Sequence, residues 1–191
     1  MMAVTQKEEE TYTGIPTSKV LLWVGMVGMV MLFAGLTSAY LVRKAEGNWV
    51  EFQLPRMFTV STIIIIISSF TIQYALHAIK KNQFGNVKIA TLATLGLGLA
   101  FVFSQFYAWT VLVANGIFMV GNPSGSFLYV LTGLHLAHLV GGILALIVVS
   151  VKVIMEKYNS QNYLGMQVFS IYWHFLDVLW VYLFLFVAYI A

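Results

Sequence analysis

Along most of this chain, long apolar runs alternate with short polar breaks. Five runs reach the roughly 20 residues that a helix needs to cross a hydrocarbon core. They lie at about 20–42, 57–79, 89–117, 127–151 and 164–190. Arg43 and Lys44 close the first, and Lys80 and Lys81 close the second. The third is longer than a span requires, which calls for tilt or protrusion. Within the second, STIIIIISSF at 61–70 has the composition of a strand, yet it sits in an unbroken run too long for one. The pattern predicts an all-α polytopic membrane protein with five transmembrane helices in one domain, 20–191. Residues 1–19, with KEEE and TGIPTS, read as a polar N-terminal tail. No short apolar segment with a basic flank and a cleavage site precedes the first span, so that span is expected to stay in the mature chain. Neither a linker nor an internal repeat is visible.

Composition supports the same class. Hydrophobic residues make up 60% and charged residues 9%, against about 25% charged in soluble domains. The net charge of +3 is small and dispersed, which argues against a nucleic-acid partner. There is no cysteine, which excludes disulfides, cysteine zinc sites, iron–sulfur clusters and covalently attached haem. Basic residues set the orientation. Lys7, Lys19, Lys80, Lys81, Lys88, Lys152 and Lys157 fall on one side, and Arg43, Lys44 and Arg56 on the other. The excess predicts a cytoplasmic N-terminus and an outside C-terminus.

Candidate chemistry comes from polar residues inside the spans, where they are costly and therefore informative. The third span holds Gln105 and Trp109, four apart on one face. The fourth holds His135 and His138 among Gly133, Gly141 and Gly142, and the fifth holds His174 and Asp177 between Trp173 and Trp180. Each ionisable pair is spaced i,i+3, on one side of its helix. At about 1.5 Å of rise per residue, His138 and Asp177 lie at matching depth on antiparallel neighbours and could meet. A metal site is one reading, since imidazole and carboxylate are suitable ligands, although no intramembrane Glu completes a dimetal centre. A b-type haem held by two histidines is a second. The favoured reading is a hydrogen-bonded structural cluster of Gln105, Trp109, His135, His138, His174, Asp177 and Trp180, in which His174 and Asp177 form a buried polar link. Such bonds are worth about 0.6 kcal/mol each and need no catalytic role to explain them. His77 beside Lys80, and Trp23, Tyr40 and Trp49 near span ends, read as interfacial residues.

Two stretches carry a family resemblance. GSFLYVLTGLHLAHLVGG, with Thr132, Gly133, His135 and His138, precedes YWHFLDVLWVYLF, with Tyr172, Trp173, His174, Phe175, Asp177 and Trp180. In this order and spacing they resemble subunit III of the haem–copper respiratory oxidases, the cytochrome c oxidase subunit III family. Weaker similarity runs through FAGLTSAYLV at 33–42 and LGLGLAFVFSQFYAW at 95–109. Five spans match the short form of the family, which lacks the first two helices of the seven-helix form. Two positions depart from it, since Met29 and Ala108 stand where the family commonly has carboxylates.

The resemblance implies an accessory, structural subunit of a proton-pumping terminal oxidase in aerobic respiratory electron transport. The complex would be a cytochrome c or quinol oxidase, with the electron-donor site on other subunits. It further implies no catalytic residue, metal or cofactor in this chain, haem and copper being carried by partner subunits. Partners would be subunits I and II, other respiratory-chain complexes and membrane lipids, in a bacterial cytoplasmic membrane. The subunit would pack on subunit I, hold phospholipid, and support proton uptake and catalytic durability. Spans one and two are then expected to splay from spans three to five around a lipid cleft, with Arg56, His77, Trp109 and His135 as candidate cleft residues. The alternatives are a small proton-coupled transporter or channel, and a haem-binding membrane anchor of a quinone-linked dehydrogenase. A transporter usually shows broken helices or internal repeats, which this chain lacks.

Overall fold

The computed structural model describes residues 16–190. It contains five helices: α1 (Thr17–Ala45), α2 (Arg56–Lys80), α3 (Phe84–Ala114), α4 (Pro123–Ile154) and α5 (Leu164–Ile190). Each is long and apolar enough to cross a membrane. The polar tail lies outside the described residues up to position 15, and α1 takes up its last three positions from Thr17. Prolines mark three starts, with Pro16 and Pro55 just before α1 and α2 and Pro123 opening α4, where a missing N–H costs nothing.

Loop length decides which helices become neighbours. Only residues 81–83 join α2 to α3, so the two must fold back as an antiparallel hairpin, and their contact is the most extensive in the molecule. The ring closes through α3 on α4, α4 on α5 and α5 on α2. Helix α1 stands outside this four-helix ring. It packs on α4 and α5 and makes no contact with α2, a separation that the ten-residue connection 46–55 permits.

This arrangement corrects the expected splay of spans one and two. Helix α2 belongs to the main bundle, and only α1 stands apart. The physical reason is the tight α2–α3 turn, together with a continuous packing stripe on α2. That stripe runs through Phe58, Thr62, Ile65, Ser68, Ile72, Ala75 and Ile79, all buried, at the spacing of one helix face. Helix α1 buries only Phe33, Thr37 and Tyr40.

The core centres on Trp173, Trp180, Phe58, Phe101, Leu128 and Leu131, all under 3% exposed. Two glycines admit the largest of these. A Cβ on Gly98 would stand 2.9 Å from the Trp173 ring, and one on Gly142 would stand 3.4 Å from it. Outward positions such as Met31, Phe70, Phe103 and Leu144 are also apolar, as expected for a surface solvated by lipid.

Both ends of the bundle are tied. At one end Asn122 caps α4, accepting from the Ser124 N–H at 3.0 Å. Its amide donates to the Asn48 carbonyl at 3.2 Å, while Trp49 packs edge-on against Tyr40 at 4.6 Å. Lys44 Nζ donates to the Ile190 carbonyl beside them. At the other end the Ser160 N–H donates to Asn82 Oδ1 at 3.1 Å, and Lys88 pairs with Glu156 at 2.8 Å. The ammonium beside it holds the Glu156 carboxyl below its ordinary value.

Candidate functional site

The polar residues of α5 face α2, and their partners descend α2 as the chain climbs α5. Trp173 Nε1 donates to Ser68 Oγ at 3.0 Å. His174 Nδ1 lies 2.5 Å from Ser69 Oγ, and its Nε2 lies 3.3 Å from Gln73 Oε1. The facing amide oxygen suits the Nε2–H tautomer, with the Ser69 hydroxyl donating to Nδ1. About two turns further along, Trp180 Nε1 donates to Thr62 Oγ1 at 3.0 Å. Ser68, Ser69, Thr62 and Gln73 were not singled out from the sequence. Their signal was present, because hydroxyls at 61, 62, 68 and 69 flank the isoleucine run and recur at helical spacing.

Asp177 sits on the same face yet takes no part in these bonds. It is 4% exposed, and both carboxyl oxygens are enclosed without a well-formed hydrogen bond, the Ser69 hydroxyl beside them being directed at His174. The link expected between His174 and Asp177 is therefore not formed, since His174 turns to α2 instead. Ser69, Gln73, His174 and Asp177 together line a groove of about 350 Å³ between α2 and α5.

Two further seams use the remaining polar groups. Gln105 Nε2 donates to Ser61 Oγ at 2.8 Å between α3 and α2, leaving its Oε1 unpartnered. Trp109 Nε1 donates to Thr132 Oγ1 at 3.2 Å between α3 and α4.

The two histidines of α4 diverge. His135 is fully buried beside Trp180 at 5.0 Å and Phe101 at 6.0 Å, and neither of its ring nitrogens has a partner. His138 turns toward α1, where its ring lies 5.9 Å from Phe33 and its Nδ1 is 2.7 Å from the Leu134 carbonyl. Among the described residues no three His, Asp or Glu side chains converge as a metal site would require. The proposed facing of His135 and His138 on His174 and Asp177 does not assemble.

The candidate cleft residues are likewise dispersed. Arg56 and His77 are exposed near opposite ends of α2, about 31 Å apart along the helix. Trp109 is half-buried between α3 and α4, and His135 is enclosed. A different groove, of about 750 Å³, runs between α1 and the start of α4. Gly35, Ala39, Val42 and Phe127 form its apolar wall, with Arg43 and Glu46 also among its lining residues. Met29 is half-buried on α1, and Ala108 is fully buried on α3.

Comparison with known proteins agrees with the motif. The family model described as "Cytochrome c oxidase subunit III" matches residues 49–191. The probable cytochrome c oxidase subunit 3 of Mycobacterium tuberculosis is 34% identical over 161 residues, covering 81% of this chain and 79% of that one. Cytochrome c oxidase subunit 3 of Corynebacterium diphtheriae is 32% identical over 169 residues, covering 84% and 82%. That of Thermostichus vulcanus is 34% identical over 171 residues, covering 85% and 82%.

Proposed function

The chain belongs to the cytochrome c oxidase subunit III family, and on that premise we propose that it serves its oxidase as scaffold and lipid holder while the redox chemistry proceeds in partner subunits. It is an integral bacterial membrane protein. The observation that carries the scaffold reading is the seam between α2 and α5. Trp173, His174 and Trp180, three polar residues of the family segment, are each engaged by side chains of α2. Groups committed to helix–helix bonds define a shape.

The subunit packs on subunit I, in a complex with subunit II, and supports proton uptake and durability of the catalytic subunit. The distribution of Lys and Arg supports an N-terminus on the cytoplasmic side of the cytoplasmic membrane. Phospholipid fits the groove between α1 and α4 better than the cleft first expected. Acyl chains would lie along Gly35, Ala39 and Phe127, and a zwitterionic head group would sit at the Arg43–Glu46 ion pair, whose partners lie 3.3 Å apart.

Gentle purification of the tagged chain tests the assignment. It should bring down a haem–copper catalytic subunit, and the chain then separated from the complex should show no haem band. A stable lone chain in mild detergent would refute membership of the complex. A haem spectrum on the separated chain would favour the dehydrogenase-anchor reading.

A further inference from the structure

Three of the four connections between helices carry charge, at Glu46 and Glu51, at Lys81, and at Glu156 and Lys157. The connection from α3 to α4, residues 115–122, carries none and reads NGIFMVGN. Four consecutive apolar residues are out of place in an aqueous turn. Three of them are turned outward: Phe118 and Met119 are more than half exposed, and Val120 is 84% exposed.

The backbone of the same segment faces the other way. The Tyr129 hydroxyl donates to the Ile117 carbonyl at 3.0 Å, and the Ser126 hydroxyl donates to the Met119 carbonyl at 2.7 Å. The Phe118 carbonyl between them lies so close to Gly125 that a Cβ there would collide with it. Three successive carbonyls are thus turned to the first turns of α4, and side chains of α4 satisfy two of them. A loop in water needs no such provision, because water donates to its carbonyls. A segment set against lipid does need it, since acyl chains and ester groups offer no donor. Gly125 and Ser126 place the segment about 3–5 Å below the first residue of α4, at the end of the bundle that carries Arg43, Glu46 and Asn122. With 32 residues, α4 is about 48 Å long. Its first turn therefore passes the roughly 30 Å hydrocarbon core and lies in the interfacial layer.

We propose that Phe118, Met119 and Val120 insert into the interfacial layer of the bilayer and anchor this end of α3 and α4 in lipid. Their side chains enter the bilayer while the segment's carbonyls stay on α4. Gly116 and Gly121, both at positive φ, supply the turns by which the segment leaves α3 and rejoins α4. The exposed apolar side of α3, through Phe103, Phe106 and Val113, leads up to the segment, so the lipid that solvates that side also reaches it. This anchoring needs only the membrane spans, whatever complex the chain joins.

The chain has no cysteine of its own, so single-cysteine variants of the full chain report cleanly in open fragments of native membrane. Glu51→Cys, in an exposed charged connection, sets the rate at which a membrane-impermeant maleimide labels a site in water. Phe103→Cys, on the outward side of α3, sets the rate in lipid. Val120→Cys should label at least about tenfold more slowly than Glu51→Cys, as a side chain held below the head groups does. Equal rates for Val120→Cys and Glu51→Cys would place the segment in water and overturn the proposal. A photoreactive phenylalanine analogue at Phe118 then identifies what surrounds the segment. Irradiation should give an adduct with phospholipid. An adduct with another polypeptide or with a second copy of this chain, or no adduct, would overturn the lipid anchor.

Discussion

Trp180 donates its indole N–H to Thr62 Oγ1 at 3.0 Å, linking α5 to α2 across 118 positions of the chain. The Trp180 ring also stacks on Phe58 and meets Phe101 edge-on at 4.9 Å. Trp180→Phe keeps most of the ring contact and removes the bond, and Thr62→Val removes the acceptor. Each should cost about 0.6–2 kcal/mol, the range for hydrogen bonds within membranes. The double variant should cost less than the two added together, measured as a double-mutant cycle on thermal unfolding in detergent. Strict additivity would show that the bond contributes nothing.

Two glycines of α3 should respond oppositely to alanine. Gly98 faces Trp173 at a distance a methyl group cannot share, whereas nothing lies within 4 Å of a Cβ on Gly96. Gly98→Ala should destabilise by about 1–3 kcal/mol through overpacking. Gly96→Ala should be neutral or stabilising by up to about 1 kcal/mol through helix propensity. Equal melting temperatures for the two variants would contradict this packing.

His135→Leu should not destabilise the chain. Its ring nitrogens have no partner and its neighbours are aromatic, so an apolar residue of similar size removes a desolvation penalty of about 1–3 kcal/mol. The expected result is an unchanged or higher melting temperature, with initial oxygen consumption per haem preserved in assembled complexes. Loss of that initial rate would assign His135 to proton movement.

Acid should weaken one end of the bundle before the rest. Lys88 lowers the Glu156 carboxyl below its ordinary value, so the fold favours the charged form. The stabilisation is then complete above the ordinary glutamate range and is lost as pH falls through the depressed value. Melting curves of wild type and Glu156→Gln should differ slightly at neutral pH and converge in acid. Salt should shrink the difference, because Glu156 is 62% exposed. A difference that grows on acidification would refute the pairing.

The five helices were legible because a bilayer demands unbroken apolar runs that satisfy their own backbone. Their ends moved by several residues, since α4 extends past its apolar run at both ends while α3 starts before its run and stops at Ala114, short of 117. The three-residue link between α2 and α3 is legible in the sequence and holds α2 in the main bundle, against the splay that the resemblance implies. The histidine pairs failed for a geometric reason. Residues spaced i,i+3 differ by about 60° around a helix of 3.6 residues per turn, enough for His135 to face the core and His138 to face α1. Matching depth fixed how far into the membrane these groups lie, but not the direction in which each one points.

Helix α1 is synthesised before the other four described helices, and both of its seats, α4 and α5, come after α2 and α3. At about 5–20 residues per second, the interval between completing α1 and beginning α5 is on the order of ten seconds. Phe33 and Tyr40 wait for His138 and Phe127 of α4, Thr37 waits for Tyr182 of α5, and the bridge from Lys44 to Ile190 can form only when α5 is finished. A nascent chain therefore offers the insertion machinery a solitary, weakly committed span. Helix α1 is the segment most open to capture by another polypeptide, or to quality control, before the molecule is complete.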